Sequence, residues 1–411
     1  MKSRWRGAPS AVGSEFAVIG TFVLFGAMIA AFFPFFALFL DDKGLSPDRI
    51  GLVLAAMAAA RVVTNPVWGH LADARLGRVR LLRIGVVAAS TAAVAMFFTG
   101  GMAAIAVVAF VFAAVAAAIG PNIDAIALTH LGDSRMGEYS RIRALESLSY
   151  AVACLAYGAL LQTGGVRWSM PVYAVAGLLL FAWTYRFRPD SPKGVAEHGR
   201  LGTVGAVFRE APRFPLFLVA LLLVWTGFNA AWNFFALRIE AAGGGVLLVG
   251  IGTAVGGAVE VPMMLWVGRL QGRFGLRKTW VAGATVYAVT FLLWGLVNDP
   301  RVISGLTVLE GVGFALLFTS GVVIAGKMLP QSLYSTGQSL MTMVGFGAAP
   351  IVGAGIGGFV FQSLGPLWLY SVASLITLCG VVVGWMALHG RDLTEGLNEV
   401  VPGPVPFSDA V

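Results

Sequence analysis

Apolar residues in this chain come in runs of twenty or more, separated by short stretches of glycine, proline, arginine or aspartate. Wound as a helix, a run of that length crosses the roughly 30 Å hydrocarbon layer of a bilayer. The pattern predicts twelve helices, segments 1 to 12, near residues 14–40, 47–72, 78–100, 102–131, 140–163, 167–187, 214–238, 244–270, 277–297, 300–327, 332–361 and 365–390. A polar stretch separates the first six from the last six. From Arg391 the chain turns polar, with Pro402, Pro404 and Pro406 among scattered acids, which predicts a solvated tail. The expected fold class is an all-α integral membrane protein of twelve transmembrane helices in two pseudo-symmetric six-helix bundles. Its expected parts are an N-terminal half (1–187), a cytoplasmic linker (188–212), a C-terminal half (213–390) and a cytoplasmic tail (391–411).

Composition agrees. Hydrophobic residues make up 58% of the 411 and charged residues only 12%, against about 25% in soluble domains. Such an excess is too large for one buried core and suits a surface that faces lipid. Soluble enzymes are excluded on this ground, and a membrane enzyme finds no support. No Ser/His/Asp set or metal-ligand spacing occurs, His198 and His389 fall in a polar stretch or at a segment end, and Cys154 and Cys379 lie inside apolar segments. No enzymatic activity, metal or other cofactor is expected. The basic start, Met1-Lys2-Ser3-Arg4-Trp5-Arg6, precedes an apolar run too long for a signal peptide and without a small-residue cleavage site, so segment 1 is expected to stay uncleaved.

Charge sets the orientation. An even number of spans puts both termini on one side, and 22 of the 28 lysines and arginines fall there, against 5 on the other and Arg61 within a segment. Basic loops resist translocation, so the 22-residue side is cytoplasmic. The net charge of +8 is thereby topological. It predicts contact with anionic headgroups of the bilayer and no nucleic-acid partner. The expected localisation is the cell (inner or plasma) membrane, multi-pass, with both termini cytoplasmic.

The two halves repeat each other. Phe35-Phe36-Ala37-Leu38 recurs 199 residues later as Phe234-Phe235-Ala236-Leu237, and Gly44, Gly51, Gly69 and Leu71 recur as Gly243, Gly250, Gly268 and Leu270. At an offset of 195, Tyr139-Ser140, Leu145 and Gly158 match Tyr334-Ser335, Leu340 and Gly353. Two six-helix halves related by an axis along the membrane normal can rock about a site at the midplane.

A paired motif follows segments 2 and 8. The first copy carries Gly69, Asp73, Arg75, Gly77, Arg78 and Arg80; the second carries Gly268, Arg269, Gly272, Arg273, Gly275, Arg277 and Lys278. Glycines permit tight turns and close helix approach. Asp73 can accept charge-assisted hydrogen bonds from the arginines or from a helix N-terminus, as a conformational latch. The alternative is an ordinary basic loop. The motif resembles the Gly-x-x-x-Asp-Arg-x-Gly-Arg-Arg signature of the major facilitator superfamily. The first copy has one extra residue between Asp73 and Gly77, and the second has Gly272 where the acid would stand. That resemblance, over about residues 14–390, implies a secondary transporter working by alternating access.

Charges inside membrane segments are expensive and stand as functional candidates. Arg61, in the middle of segment 2, answers Glu260 of segment 8 at the 199-residue offset. Asp124 of segment 4 and Arg143 of segment 5 can form a pair, and Tyr150 lies two turns beyond Arg143 on the same face. Glu146 can neutralise Arg143. Glu310, at the start of segment 10, is expected towards the outer interface. Asn229 and Asn233, one turn apart on segment 7, can hydrogen-bond a polar solute or bridge helices. For each the structural reading, an ion pair or interhelical fastening, stands beside the functional one.

These residues narrow the resemblance. Glu138-Tyr139-Ser140-Arg141-Ile142-Arg143 with Tyr150 is similar to segment 5 of lactose permeases, and Ala60-Arg61 and Glu260 resemble phenylpropionate permeases and nucleoside–proton symporters. The resemblance implies Asp124, Arg143, Tyr150 and Arg61 as substrate residues and Glu260 as a proton-coupling residue; the reading of the residues themselves adds Asn229 and Asn233 to the substrate set, and Asp124 and Glu310 to the proton-coupling set. The expected activity is proton-coupled symport of a small organic solute: an aromatic carboxylate, a nucleoside or a sugar. Its expected partners are that solute, protons and the lipid bilayer, with the chain acting as a monomer. Drug/proton antiport is one alternative, and a non-transporting membrane receptor or assembly factor with the same fold is another.

Overall fold

The computed structural model describes residues 15–131, 136–190 and 202–389. The expected tail, the basic residues Lys2, Arg4 and Arg6, and residues 191–201 of the expected linker lie outside them. Eighteen α-helices and no strand occur among the described residues. The first half holds α1 (Glu15–Ala30), α2 (Phe36–Asp42), α3 (Pro47–Leu71), α4 (Arg78–Phe98), α5 (Met102–Ala116), α6 (Ile119–Leu131), α7 (Met136–Gly164) and α8 (Ser169–Trp183). The short α9 (Gly202–Glu210) follows. The second half holds α10 (Phe214–Trp232), α11 (Phe235–Ala241), α12 (Val246–Phe274), α13 (Leu276–Leu296), α14 (Pro300–Gly305), α15 (Thr307–Met328), α16 (Tyr334–Thr342), α17 (Ala349–Leu364) and α18 (Pro366–Ala387). Eleven spans are long and apolar enough to cross a membrane by themselves. The twelfth, segment 1, is divided between α1 and α2.

The structure corrects several predicted elements, each for a backbone reason. Segment 1 is broken over residues 31–35, where Pro34 has no N–H to donate and disfavours helical backbone at Phe33. Segment 4 breaks between α5 and α6, just ahead of Pro121. Segment 11 contains a π-helical stretch, Met343–Ala348, leading into Pro350. Part of the polar stretch read as linker is helical: α9 buries Val207 and leaves Arg209 and Glu210 exposed, an amphipathic placement.

The repeat is visible in the backbone. α2 and α11 start and end 199 residues apart, and their first caps, Phe35 (φ −106°, ψ −7°) and Phe234 (φ −108°, ψ 7°), break the helix in the same way. Gly44 and Gly243 then both take φ 80°. The extra residue of the first motif is absorbed by a π turn, Ala72–Leu76, after α3; the second copy runs as α-helix to Phe274. Gly77 (φ 76°) and Gly275 (φ 82°) then make matching turns, and α4 and α13 each run 21 residues.

Two compact units result, within the bounds Met1–Leu45 with Ala56–His198, and Ser46–Ala55 with Gly199–Val411. In the first, α1 packs on α7 and α8, and α4 on α5 and α8. The second repeats the scheme, α10 packing on α17 and α18, and α13 on α15 and α18. Each core is aromatic and aliphatic: Phe22, Phe35, Phe39 and Phe112 are fully buried in the first, Trp280, Trp294, Tyr287 and Tyr370 in the second. Each unit also tethers the helix after its break to a helix end. Lys43 Nζ donates to Phe97 O (2.5 Å) and Thr99 O (3.1 Å) at the end of α4. Arg238 donates to Trp294 O (2.8 Å) and Val297 O (2.5 Å) at the end of α13. A cation there meets orphan carbonyls and the negative end of the helix dipole.

Candidate functional site

In the first unit, α6 and α7 bring an acid, a guanidinium and a phenol together. Arg143 Nη1 donates to Asp124 Oδ1 at 2.6 Å, and the Tyr139 hydroxyl donates to the same oxygen at 2.8 Å. Tyr139 precedes Arg143 by one turn, so both side chains leave one face of α7. The pair is half-open to its surroundings, with side chains 49% (Arg143) and 33% (Asp124) exposed. Glu146 lies 3.8 Å from Arg143 Nη1, too far for a hydrogen bond, and its Oε2 is buried without a donor. The approach of α1 to α7 sets this depth: a Cβ at Gly26 would run into Glu146 O, and Ser149 Oγ donates to Val23 O. Sequence reasoning did not select Tyr139 as a site residue, although it lies within the quoted run. Its position four residues before Arg143 was the available signal.

Tyr150 is half-buried, two turns beyond Arg143 on α7, and has the Cys154 thiol one turn on as a hydrogen-bond partner. Arg61, midway along α3, makes no ion pair among the described residues. Its guanidinium sits 5.8 Å from the Phe33 ring centroid, with Tyr173 within electrostatic range.

The second unit collects acids. Gly256 of α12 and Gly311 of α15 meet so closely that a Cβ at Gly311 would strike Gly256 O. This contact brings Glu260 within electrostatic range of Glu310 and Tyr287. The Tyr287 hydroxyl donates to Glu310 Oε1 at 3.3 Å. Glu310 lies deeper than expected. Its span starts at Pro300, which puts it about 15 Å inside the helix, and it is only 7% exposed. Glu260 has no cationic partner among the described residues. Asn229 bonds its own helix, Nδ2 to Trp225 O at 2.8 Å, and its Cβ packs where α17 presents Gly353. Asn233 caps α10 at the break before α11, in the place Pro34 holds in the first half.

The paired motif sorts into a turn and a helix end. Gly69 has open space where a side chain would stand, so no neighbouring helix exploits it. Gly268 and Arg273 lie on α12 itself, the Arg273 guanidinium 5.3 Å from the Phe274 ring. Arg75 is exposed on the π turn. Asp73 accepts from Arg78 Nη2 at 3.4 Å, a weak contact. The N-terminus of α4 belongs instead to Asp190, whose carboxylate accepts from Arg78 N (2.9 Å) and Val79 N (3.0 Å). The residues named from the sequence did not include Asp190. An acid set among prolines just after segment 6, in Arg188-Pro189-Asp190-Ser191-Pro192, was the signal.

Repeated helix order in two halves, apolar spans, and clusters of charged side chains carried on those helices define a membrane transporter. The chain belongs to the MFS_1 like family, the family model matching residues 17–372. It is 28% identical over 379 residues to the maltose permease of Geobacillus stearothermophilus, covering 91% of this chain and 93% of that one. It is 24% identical over 404 residues to the multidrug resistance protein MdtG of Citrobacter koseri, covering 91% and 94%. Among solved structures, the nucleoside transporter NupG superposes with a TM-score of 0.78 at 16% identity, over 92% of this chain and 99% of that one. The peptide transporter POT (E310Q mutant) superposes at 0.71 and 13%, over 91% and 93%. These two likenesses show the twelve-helix fold. The family and the relatives are transporters, not enzymes.

Proposed function

We propose that this chain is a proton-coupled symporter that carries a small polyhydroxylated solute, a sugar, across the cell membrane by alternating access. The observation that carries the reading is the cluster of Asp124, Arg143 and Tyr139. A carboxylate and a planar fork of guanidinium donors side by side suit vicinal hydroxyls, which both donate and accept. Tyr150 supplies an aromatic face near the pair. The name of the maltose permease relative, aligned over almost the whole chain, supports a sugar. Glu260 and Glu310 are the proton carriers in this reading. Two carboxyls sharing an apolar pocket without a cation repel when both are ionised, so loading and releasing a proton is tied to how wet the pocket is. The lopsided distribution of basic residues supports cytoplasmic termini, and the chain acts as a monomer with the bilayer as its surroundings.

Proteoliposomes loaded with pyranine and challenged with sugars, nucleosides and aromatic acids test this. A sugar that acidifies the lumen as it enters is the expected result; a lumen turned alkaline, or unresponsive to every sugar, overturns it. Antiport of an apolar drug is the second reading. A cavity of about 150 Å³ in the second unit, lined by Trp225, Phe318, Phe346 and Leu221, favours it, as does the likeness to MdtG. The direction of proton movement separates the two.

A further inference from the structure

A groove on the outer surface of the first unit has a different chemistry from either cluster. It runs between α4 and α8, with Ile84, Val87, Ala88 and Phe181 along its length and Arg80, Arg83 and Tyr185 at one end. Ile84 and Val87 are 48% and 37% exposed. Both helices belong to spans long and apolar enough to cross a membrane, and the apolar side chains they expose here suit hydrocarbon. α4 begins at Arg78, so the arginine end lies where the span meets the membrane surface.

Arg83 is held ready. Its Nε donates to Thr184 Oγ1 (3.1 Å), and its Nη2 to Thr184 O (2.9 Å) and Phe187 O (3.0 Å). Its guanidinium also lies 4.4 Å from the Tyr185 ring centroid. Three of its five donors are thus used, leaving Nη1 with two. Arg80 stands one turn earlier on the same face of α4, exposed and with no described residue as partner. Two cations one turn apart thus close the head of an apolar groove that extends about 12 Å along α4 to Ala88. No acid lines it. The second half does not reproduce the pair: in the register of Gly77 and Gly275, Lys278 answers Arg80 but Val281 stands where Arg83 would.

We propose that this groove seats one anionic phospholipid of the surrounding bilayer. The phosphodiester binds between Arg80 and the free Nη1 of Arg83, and the first part of an acyl chain lies over Ile84, Val87 and Ala88 against Phe181. The fixed guanidinium gives geometric fit, since ordering it costs no further side-chain entropy. The apolar floor distinguishes a lipid from free phosphate, because only a lipid fills both parts.

Native mass spectrometry of the purified full chain, delipidated and then titrated with phosphatidylglycerol or with phosphatidylcholine of the same acyl chains, tests the proposal. One phosphatidylglycerol is expected to be retained at collision energies that strip phosphatidylcholine. R80Q should lower that retention about tenfold. Val87→Trp, which fills the groove and leaves both arginines, should lower it similarly, while R167Q, an exposed arginine elsewhere, should leave it unchanged. Unfolding of each variant is followed by intrinsic fluorescence, and inorganic phosphate is added as a competitor. Folded R80Q that retains phosphatidylglycerol like the wild type overturns the proposal. So does equal retention of phosphatidylcholine, or displacement by millimolar phosphate, which would make the site one for a free anion.

Discussion

Asp124 Oδ1 accepts from Arg143 at 2.6 Å and from the Tyr139 hydroxyl at 2.8 Å, so a single carboxylate oxygen joins α6 to α7. No described residue donates to the other oxygen, Oδ2, and the side chain is one-third exposed. The pair is therefore internally compensated yet keeps acceptor and donor capacity on its open side. A structural ion pair would be expected to spend that capacity on the protein.

Arg143→Ala is expected to weaken solute binding about ten- to hundredfold, the loss that follows from removing charge-assisted hydrogen bonds. It also leaves Asp124 with an unbalanced charge. Arg143→Ala combined with Asp124→Asn should bind no worse than Arg143→Ala alone, because the two residues act as one unit. Counterflow of the solute found in the pyranine screen measures both. Normal binding by Arg143→Ala would place the solute elsewhere.

The fold was legible in the sequence because lipid imposes a simple code: long apolar runs, basic loops and a tetrapeptide repeated at a fixed offset. What stayed hidden was local backbone chemistry. Pro34 and Pro121 break helices that hydropathy draws as continuous, and the π turn at Ala72–Leu76 is a way of housing one extra residue. Within the candidate site, Asp124 with Arg143 was legible as a cross-helix pair of opposite charges. The depth of Glu310 was not, because it depends on the close approach of Gly256 to Gly311, a backbone contact between α12 and α15. The role of Asp190 was hidden for another reason, although the acid stands out among its prolines. Its partners are backbone N–H groups more than a hundred residues away, and backbone groups leave no mark in a sequence.

Gly69 and Gly77 should respond oppositely to alanine. Gly77 takes φ 76°, where a side chain costs about 1–2 kcal/mol, and an added Cβ would sit 2.5 Å from Asp190 O. Gly69 is helical with open space around it, so alanine there gains up to about 1 kcal/mol of helix propensity. Asp190→Ala, which uncaps α4, should cost about 1 kcal/mol. Thermal unfolding in detergent reads all three. A Gly77→Ala protein as stable as wild type would show that the turn does not need its positive φ.

Gly311 and Gly257 offer a second contrast. At Gly311 a Cβ collides with the backbone of Gly256, so Gly311→Ala must push α12 from α15 and lower both stability and transport rate. At Gly257 nothing lies within 4 Å, and alanine should be tolerated. Equal melting temperatures and equal uptake for the two variants would remove the close approach as the device that sets Glu260 beside Glu310.

The last prediction concerns that pair of carboxyls. Glu260→Gln keeps the size of the side chain and fixes it in a neutral form. If Glu260 carries the coupling proton, vesicles with an acidic exterior near pH 6 should no longer accumulate solute above its external level. Exchange of labelled for unlabelled solute should continue, because it needs rocking of the halves and not net proton movement. Glu310→Gln tests whether the proton belongs to one carboxyl or to both. Loss of accumulation in each single variant means the two titrate as a unit, as neighbouring carboxyls do. Loss in Glu260→Gln alone makes Glu310, tied to Tyr287, the fixed partner that tunes it. Uphill accumulation that survives in Glu260→Gln removes it as the coupling group and leaves Asp124, in the other unit, as the remaining acid of the coupling set to be tested in the same assay.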